Sequence, residues 1–186
     1  MVWAIIIILC VGADQLSKAI VESSFQEVDS ITVINGFFYL VSRANRGAAW
    51  SFLSNKDWGI YLLISISFLA SIGMIFLIYR SGNTKFKAAL SFICAGSIGN
   101  LIDRALYHQV TDFIDLHFGA YVFPTFNIAD SLITCGTIFL IIMLLTDPAV
   151  LEDISKITTR KVKTDKSVDL KNEAEKDFTG NTDRDN

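Results

Sequence analysis

The sequence predicts an all-α integral membrane protein of four transmembrane helices with a small β-sheet on one face. Three observations predict it. The 186-residue chain is 52% hydrophobic and only 19% charged, where soluble domains carry about 25% charge. Four apolar runs, at about 2–21, 58–79, 86–106 and 126–145, are each about 20 residues long, enough for a helix to cross about 30 Å of hydrocarbon. Between the first two, residues 23–57 turn to β-branched and aromatic stretches on either side of Asn35-Gly36.

Lys and Arg near the helix ends set the orientation. Arg80, Lys85 and Lys87 follow the second run, and Lys156, Arg160, Lys161 and Lys163 follow the fourth; residues 23–57 hold only Arg43, Arg46 and Lys56, and residues 107–125 hold none. Seven against three puts both termini in the cytoplasm and the two longer loops outside. No basic residue precedes the first run and no small-residue cleavage site follows it, so helix 1 is expected to be retained and not removed as a signal peptide. Cys10, Cys94 and Cys135 lie in three different runs, which indicates neither a disulfide framework nor a metal site.

Helix 1 carries Asp14, Gln15, Ser17 and Lys18 in its outer half. Asp14 and Lys18 share a face. They read equally as a neutralised pair with a snorkelling lysine and as a polar wall facing the bundle interior, since intramembrane charges usually mark a site. In the loop that follows, 31–34 and 37–41 flank Asn-Gly, a strong hairpin signal. Asn45-Arg-Gly-Ala-Ala-Trp-Ser-Phe52 comes next; Gly47 permits close backbone approach, and Trp50, Phe52 and Trp58 suit an interfacial aromatic belt. Helix 2, with only Ser65, Ser67 and Ser71 polar, reads as a plain span stopped by Gly82.

Helix 3 is thinned by Gly96 and Gly99 and ends with Asn100, Asp103 and Arg104 on one face. That reads either as a helix end meeting headgroups or as part of a site. The loop 107–125 holds His108, Asp112, Asp115 and His117; the two histidines lack a helical ligand spacing and no His-Glu-x-x-His occurs, so metal chemistry is not indicated. Helix 4 begins after Pro124. Asn127 and Asp130 fit a capping box, which makes both structural and also fixes the orientation of Asp130. Residues 147–186 carry most of the remaining charge and few large apolar residues, so a disordered cytoplasmic tail is expected.

The polar residues gather at one membrane boundary. A Ser–Lys protease would need a serine near Lys18 and none is evident; there is no glycine-rich phosphate loop. Asp112 and Asp130 form the most economical catalytic set. Two adjacent carboxylates cannot both ionise and share a proton, so one takes a proton from water and the other donates to a scissile carbonyl. The dipole at the start of helix 4 favours charge on Asp130, leaving the proton more often on Asp112.

Asp14 with Lys18, Asn45-x-Gly-Ala-Ala-x-Ser-Phe52, Gly99-Asn-x-x-Asp-Arg104, Val110-x-Asp-Phe113 and Phe126-Asn-x-Ala-Asp-Ser131 together resemble the lipoprotein signal peptidases (signal peptidase II), in order and over residues 1–146. The resemblance implies an aspartic endopeptidase of the bacterial inner membrane, with its active site near the outer leaflet surface. It would cut the signal peptide from prolipoproteins just before the diacylglyceryl-modified cysteine, and globomycin-type cyclic peptides would inhibit it. It implies Asp112 and Asp130 as the catalytic pair, Asn100, Asp103, Arg104 and Asn127 as active-site support, and Asp14, Lys18, Asn45 and Gly47 on the substrate side. Membrane lipids and the prolipoprotein are the expected partners, as a monomer, with no nucleic acid and no metal or other cofactor. The charged tail, Thr111 and Trp50 depart from the family pattern. An ion-coupled transporter using the same charges is the alternative, disfavoured because they sit at one face and not at the midplane. A membrane subunit whose charges pair with a partner helix is a third.

Overall fold

The computed structural model describes residues 1–25, 30–47 and 58–159. In chain order the elements are α1 (Val2–Ser24), β1 (Ser30–Ile34), β2 (Phe38–Asn45), α2 (Gly59–Arg80), α3 (Thr84–Tyr107), β3 (Val110–Phe118), β4 (Tyr121–Val122) and α4 (Ile128–Thr146). A further helical stretch, α5, covers residues 148–159. The helices α1 to α4 are each long and apolar enough to cross a membrane, and this is a multi-pass membrane protein. The label all-α is too narrow: the four strands form one antiparallel sheet in the order β1-β2-β3-β4.

α3 is the central helix. It contributes eleven buried residues, against three each from α1, α2 and α4, and it packs on all three. Lipid tails are as apolar as leucine, so burial alone does not drive helices together in a bilayer; small residues that let backbones approach do. A Cβ at Gly96 would run into the Ala129 carbonyl of α4, and one at Gly99 would lie 2.6 Å from Asp14 Oδ2 of α1. The glycines expected to thin this helix thus set its contact with two neighbours. On the α2 side, the Ser71 hydroxyl meets Ser97 at 3.2 Å. Large apolar side chains such as Ile8, Leu9, Leu69 and Ile141 point outward, as lipid-facing positions do.

The expected hairpin is present, with Gly36 at φ +74° and the Phe37 amide donating to the Ile34 carbonyl at 3.0 Å. The segment 107–125 is more than a loop. β3 pairs along β2 from Phe38↔Leu116 to Asn45↔Val110, and Phe126 bridges to Ile114 on its other edge. Four consecutive residues of β3, Val110 to Phe113, are buried. A strand covered on both faces loses the apolar–polar alternation by which strands are read.

Two helix ends also differ from expectation. α2 stops at Ser81 in an extended conformation, and Gly82 does not adopt positive φ. What terminates it is α5, whose Asp153 accepts the Ser81 hydroxyl at 2.5 Å and the Gly82 amide at 3.0 Å. Residues 148–159 are therefore ordered helix and not disordered tail: Val150 is fully buried with Ile78, Phe86 and Met143. Trp50, Phe52, Ala48 and Ala49, and residues 160–186 of the tail, lie outside the described residues.

Candidate active site

The first turn of α4 organises the site. Asn127 is its N-cap. The Asn127 side-chain oxygen accepts the Asp130 amide at 2.9 Å, and Asp130 Oδ2 accepts the Asn127 amide at 3.3 Å, a reciprocal capping box. With its oxygen engaged by the cap, the Asn127 carboxamide must turn its NH2 outward. That NH2 donates to Asp112 Oδ1 on β3 at 2.7 Å. One asparagine therefore touches both aspartates.

Each carboxylate takes a further amide donor. Asn45 Nδ2 on β2 donates to Asp112 Oδ2 at 2.9 Å. The Asn45 oxygen is fixed in turn by the Gly47 amide at 2.9 Å. Asn100 Nδ2 on α3 donates to Asp130 Oδ1 at 2.8 Å. Asp112 and Asn127 are almost wholly buried, while Asp130 is half-buried. Burial pushes the Asp112 carboxyl up to about 6, and the nearby Asp130 charge adds to the rise; the bonds from Asn45 and Asn127 oppose it. Such a carboxyl holds its proton well above the usual carboxylate range.

Arg104 lies one turn beyond Asn100 on α3. It is buried, donates through Nη2 to the Gly47 carbonyl at 3.1 Å and through Nη1 to the Asn100 carbonyl at 3.4 Å. Among the described residues its Nε has no hydrogen-bond partner.

Behind this set lies a second polar group on α1 and α3. Lys18 Nζ is 2.8 Å from Asp14 Oδ2, 2.6 Å from Asp103 Oδ2 and 3.1 Å from Asn100 Oδ1. Asp14 Oδ1 accepts the Ala129 amide of α4 at 2.8 Å, capping that helix from across the bundle. Asp14 and Lys18 are 0% and 3% exposed. Their polar atoms are occupied by protein partners. Asn45 and Gly47 do lie at the pair. Gln15, one of the polar residues of helix 1 but not among the candidate site residues, joins this group. It donates to Asp103 Oδ1 at 2.8 Å and to the Gly99 carbonyl at 3.2 Å; its place one turn from Lys18 was the available signal. Asp115 instead binds His117 at 3.0 Å and lies 3.8 Å from Arg43. It is an odd number of residues from Asp112, hence on the other face of β3. No group of three or more His, Cys, Asp or Glu among the described residues is placed to share a metal ion.

Two carboxyls linked through one carboxamide, one of them raised toward neutral pH, can give and take a proton on a single water. Residues 6–146 match the family model described as Signal peptidase (SPase) II. The chain belongs to the signal peptidase II family. Among curated relatives, the lipoprotein signal peptidase of Listeria monocytogenes serotype 4b is 37% identical over 147 residues, spanning 79% of this chain and 95% of that protein. That of Staphylococcus carnosus is 40% identical over 134 residues, 72% and 84% of the two chains, and that of Maridesulfovibrio salexigens 41% over 145 residues, 74% and 91%. Two solved structures of bacterial membrane enzymes are each 37% identical and superpose with TM-scores of 0.72 and 0.70. The first covers 79% of this chain and 89% of its own, the second 78% and 94%. As a member of the signal peptidase II family the chain is a peptidase.

Proposed function

We propose that this peptidase is an aspartic endopeptidase that removes the signal peptide from diacylglyceryl-modified prolipoproteins, cutting just before the lipidated cysteine. The observation that carries the reading is Asn127, which donates to Asp112 while capping Asp130. Asp112 and Asp130 share one proton. Asp130, at the start of α4 and holding two amide donors, is the ionised member; Asp112 carries the proton. Asp130 takes a proton from water as the water attacks the scissile carbonyl carbon, and Asp112 donates to the carbonyl oxygen. The resulting tetrahedral diol collapses with proton transfer to the departing amine of the cysteine. No acyl-enzyme forms, and no metal or other cofactor takes part.

Asn100, Asn127 and Arg104 hold the pair, with Asp103, Lys18 and Asp14 behind them. Asn45 and Gly47 border the substrate. The Arg104 Nε and the half-buried Asp130 face it. Both termini are cytoplasmic, in keeping with the seven-to-three Lys/Arg bias, and the site lies at the outer leaflet of the bacterial inner membrane. The substrate keeps its acyl chains in that leaflet, so it enters laterally between helices, and each Å² of apolar surface buried contributes about 25 cal/mol to positioning the bond. The peptidase works as a monomer, and globomycin-type cyclic peptides block it.

The test is cleavage in proteoliposomes of one precursor prepared with and without the diacylglyceryl group, with the cut mapped by mass spectrometry. The lipidated form is expected to be cut on the amino side of the cysteine. Equal cleavage of both forms, or a cut elsewhere, would refute the substrate assignment.

A further inference from the structure

The two carboxamides beside the aspartates have a fixed sense, and Lys18 sets one of them. An ammonium has only donors, so the Asn100 atom 3.1 Å from Lys18 Nζ must be its oxygen. The Asn100 NH2 is then the atom facing Asp130, at 2.8 Å. Asn127 supports the same sense by donating to the Asn100 oxygen at 3.4 Å. Lys18 is itself gripped between Asp14 and Asp103 and is 3% exposed, so it has no freedom to let the amide turn.

We infer that Lys18 is a positioning residue for the reaction: held by Asp14 and Asp103, it locks the Asn100 carboxamide with its NH2 on Asp130 and so keeps Asp130 the hydrogen-bond-accepting, ionised member of the pair. Without Lys18, Asn100 can turn its oxygen toward Asp130, which suits a protonated carboxyl and removes the base. Lys18 does not touch the substrate; it acts through Asn100. This rests on the aspartic reading above.

The charged and titratable groups around the pair come from each packed element. They are Lys18 from α1, Asp103 and Arg104 from α3, Asp112 from β3 and Asp130 from α4, with the amides of Asn45, Asn100 and Asn127 between them. Lys18 also acts through space on Asp112, whose charged form it favours. Loss of Lys18 therefore has two separable effects, one on Asn100 and one on titration.

Removing Lys18 alone would leave Asp14 and Asp103 buried without their cation and risks unfolding. The test therefore uses the full chain in proteoliposomes with Asp103→Asn as background, which deletes one carboxylate with the lysine. Lys18→Met is added to that background with Asn100 intact and again with Asn100→Ala. With Asn100 present, kcat on the lipidated precursor is expected to fall about tenfold at unchanged melting temperature, the size of a coupling between neighbours in one hydrogen-bond network. With Asn100→Ala, Lys18→Met should cost no further kcat, while the alkaline limb of kcat/KM moves upward in both backgrounds. An equal kcat loss in both backgrounds, or none with Asn100 intact, would overturn the assignment. Full activity of Asp130→Asn measured alongside would instead overturn the aspartic reading on which it rests.

Discussion

At one end of the bundle, Asp14, Asp103, Asp112 and Asp130 gather around the buried cations Lys18 and Arg104. At the other, Asp147 meets Lys85 at 2.8 Å, and Asp153 takes the Ser81 hydroxyl and the Gly82 amide. Both ends use carboxylates to cap backbone groups and tie helices together. They differ in burial. The Lys85 hydrogen bond holds the solvent-accessible Asp147 carboxyl below its ordinary value, whereas burial and a like charge push Asp112 up to about 6. A capping carboxylate in water is a fastener. The same group dried out beside a second carboxylate becomes an acid, and that contrast separates the two ends more sharply than their hydrogen-bond patterns do.

Mutations at the two ends should therefore have opposite signatures. The largest effect is expected from Asp112→Asn, which keeps the shape and one of the two amide contacts but cannot carry the shared proton. Cleavage should fall by about a thousandfold, within the usual range for a proton-transfer group, with little change in melting temperature. Next is Asn127→Ser. Serine caps α4 as well as asparagine does but leaves Asp112 without its 2.7 Å donor, so the melting temperature should hold while kcat falls about tenfold. A joint loss of both would mean that Asn127 is only a cap.

The titration of Asp112 gives a third, smaller effect. Its carboxyl is raised, so the proton is present below about 6 and lost as pH rises through that value; kcat/KM should decline on the alkaline side with an apparent midpoint belonging to the pair. The Asn45 hydrogen bond favours the charged form. Asn45→Ala should thus move this limb to higher pH, and a downward shift would reverse the assigned role. Smallest in rate is Asp153→Ala at the opposite end. It should cost about 1 kcal/mol of stability through the lost hydroxyl and amide bonds, seen by thermal unfolding, and leave cleavage unchanged.

Apolar length and the polar motifs made most of this legible beforehand. The four spans, the Asn35-Gly36 hairpin and the Asn127–Asp130 capping box follow from patterns within a few residues of each other. β3 was hidden because burial on both faces removed its alternation. α5 was hidden because a charged stretch looks solvated; its docking depends on Val150 and Asp153 meeting the α2–α3 turn, a contact made across 72 residues. Spacing shows that Asp14 and Lys18 share a face but not what that face meets, so it does not separate a neutralised pair from a site. The meeting with Ala129 and Asn100 is a property of how α1 crosses α3 and α4.

Asp130→Asn in proteoliposomes, with thermal unfolding and cleavage of the lipidated precursor read on the same sample, bears most directly on the catalytic pair. Asparagine at this third helical position still has one side-chain oxygen to accept the Asn127 amide, so a purely structural Asp130 leaves both readings near wild type. A catalytic Asp130 gives an intact melting curve and no cleavage; an intact melting curve with near wild-type cleavage would contradict the aspartic mechanism.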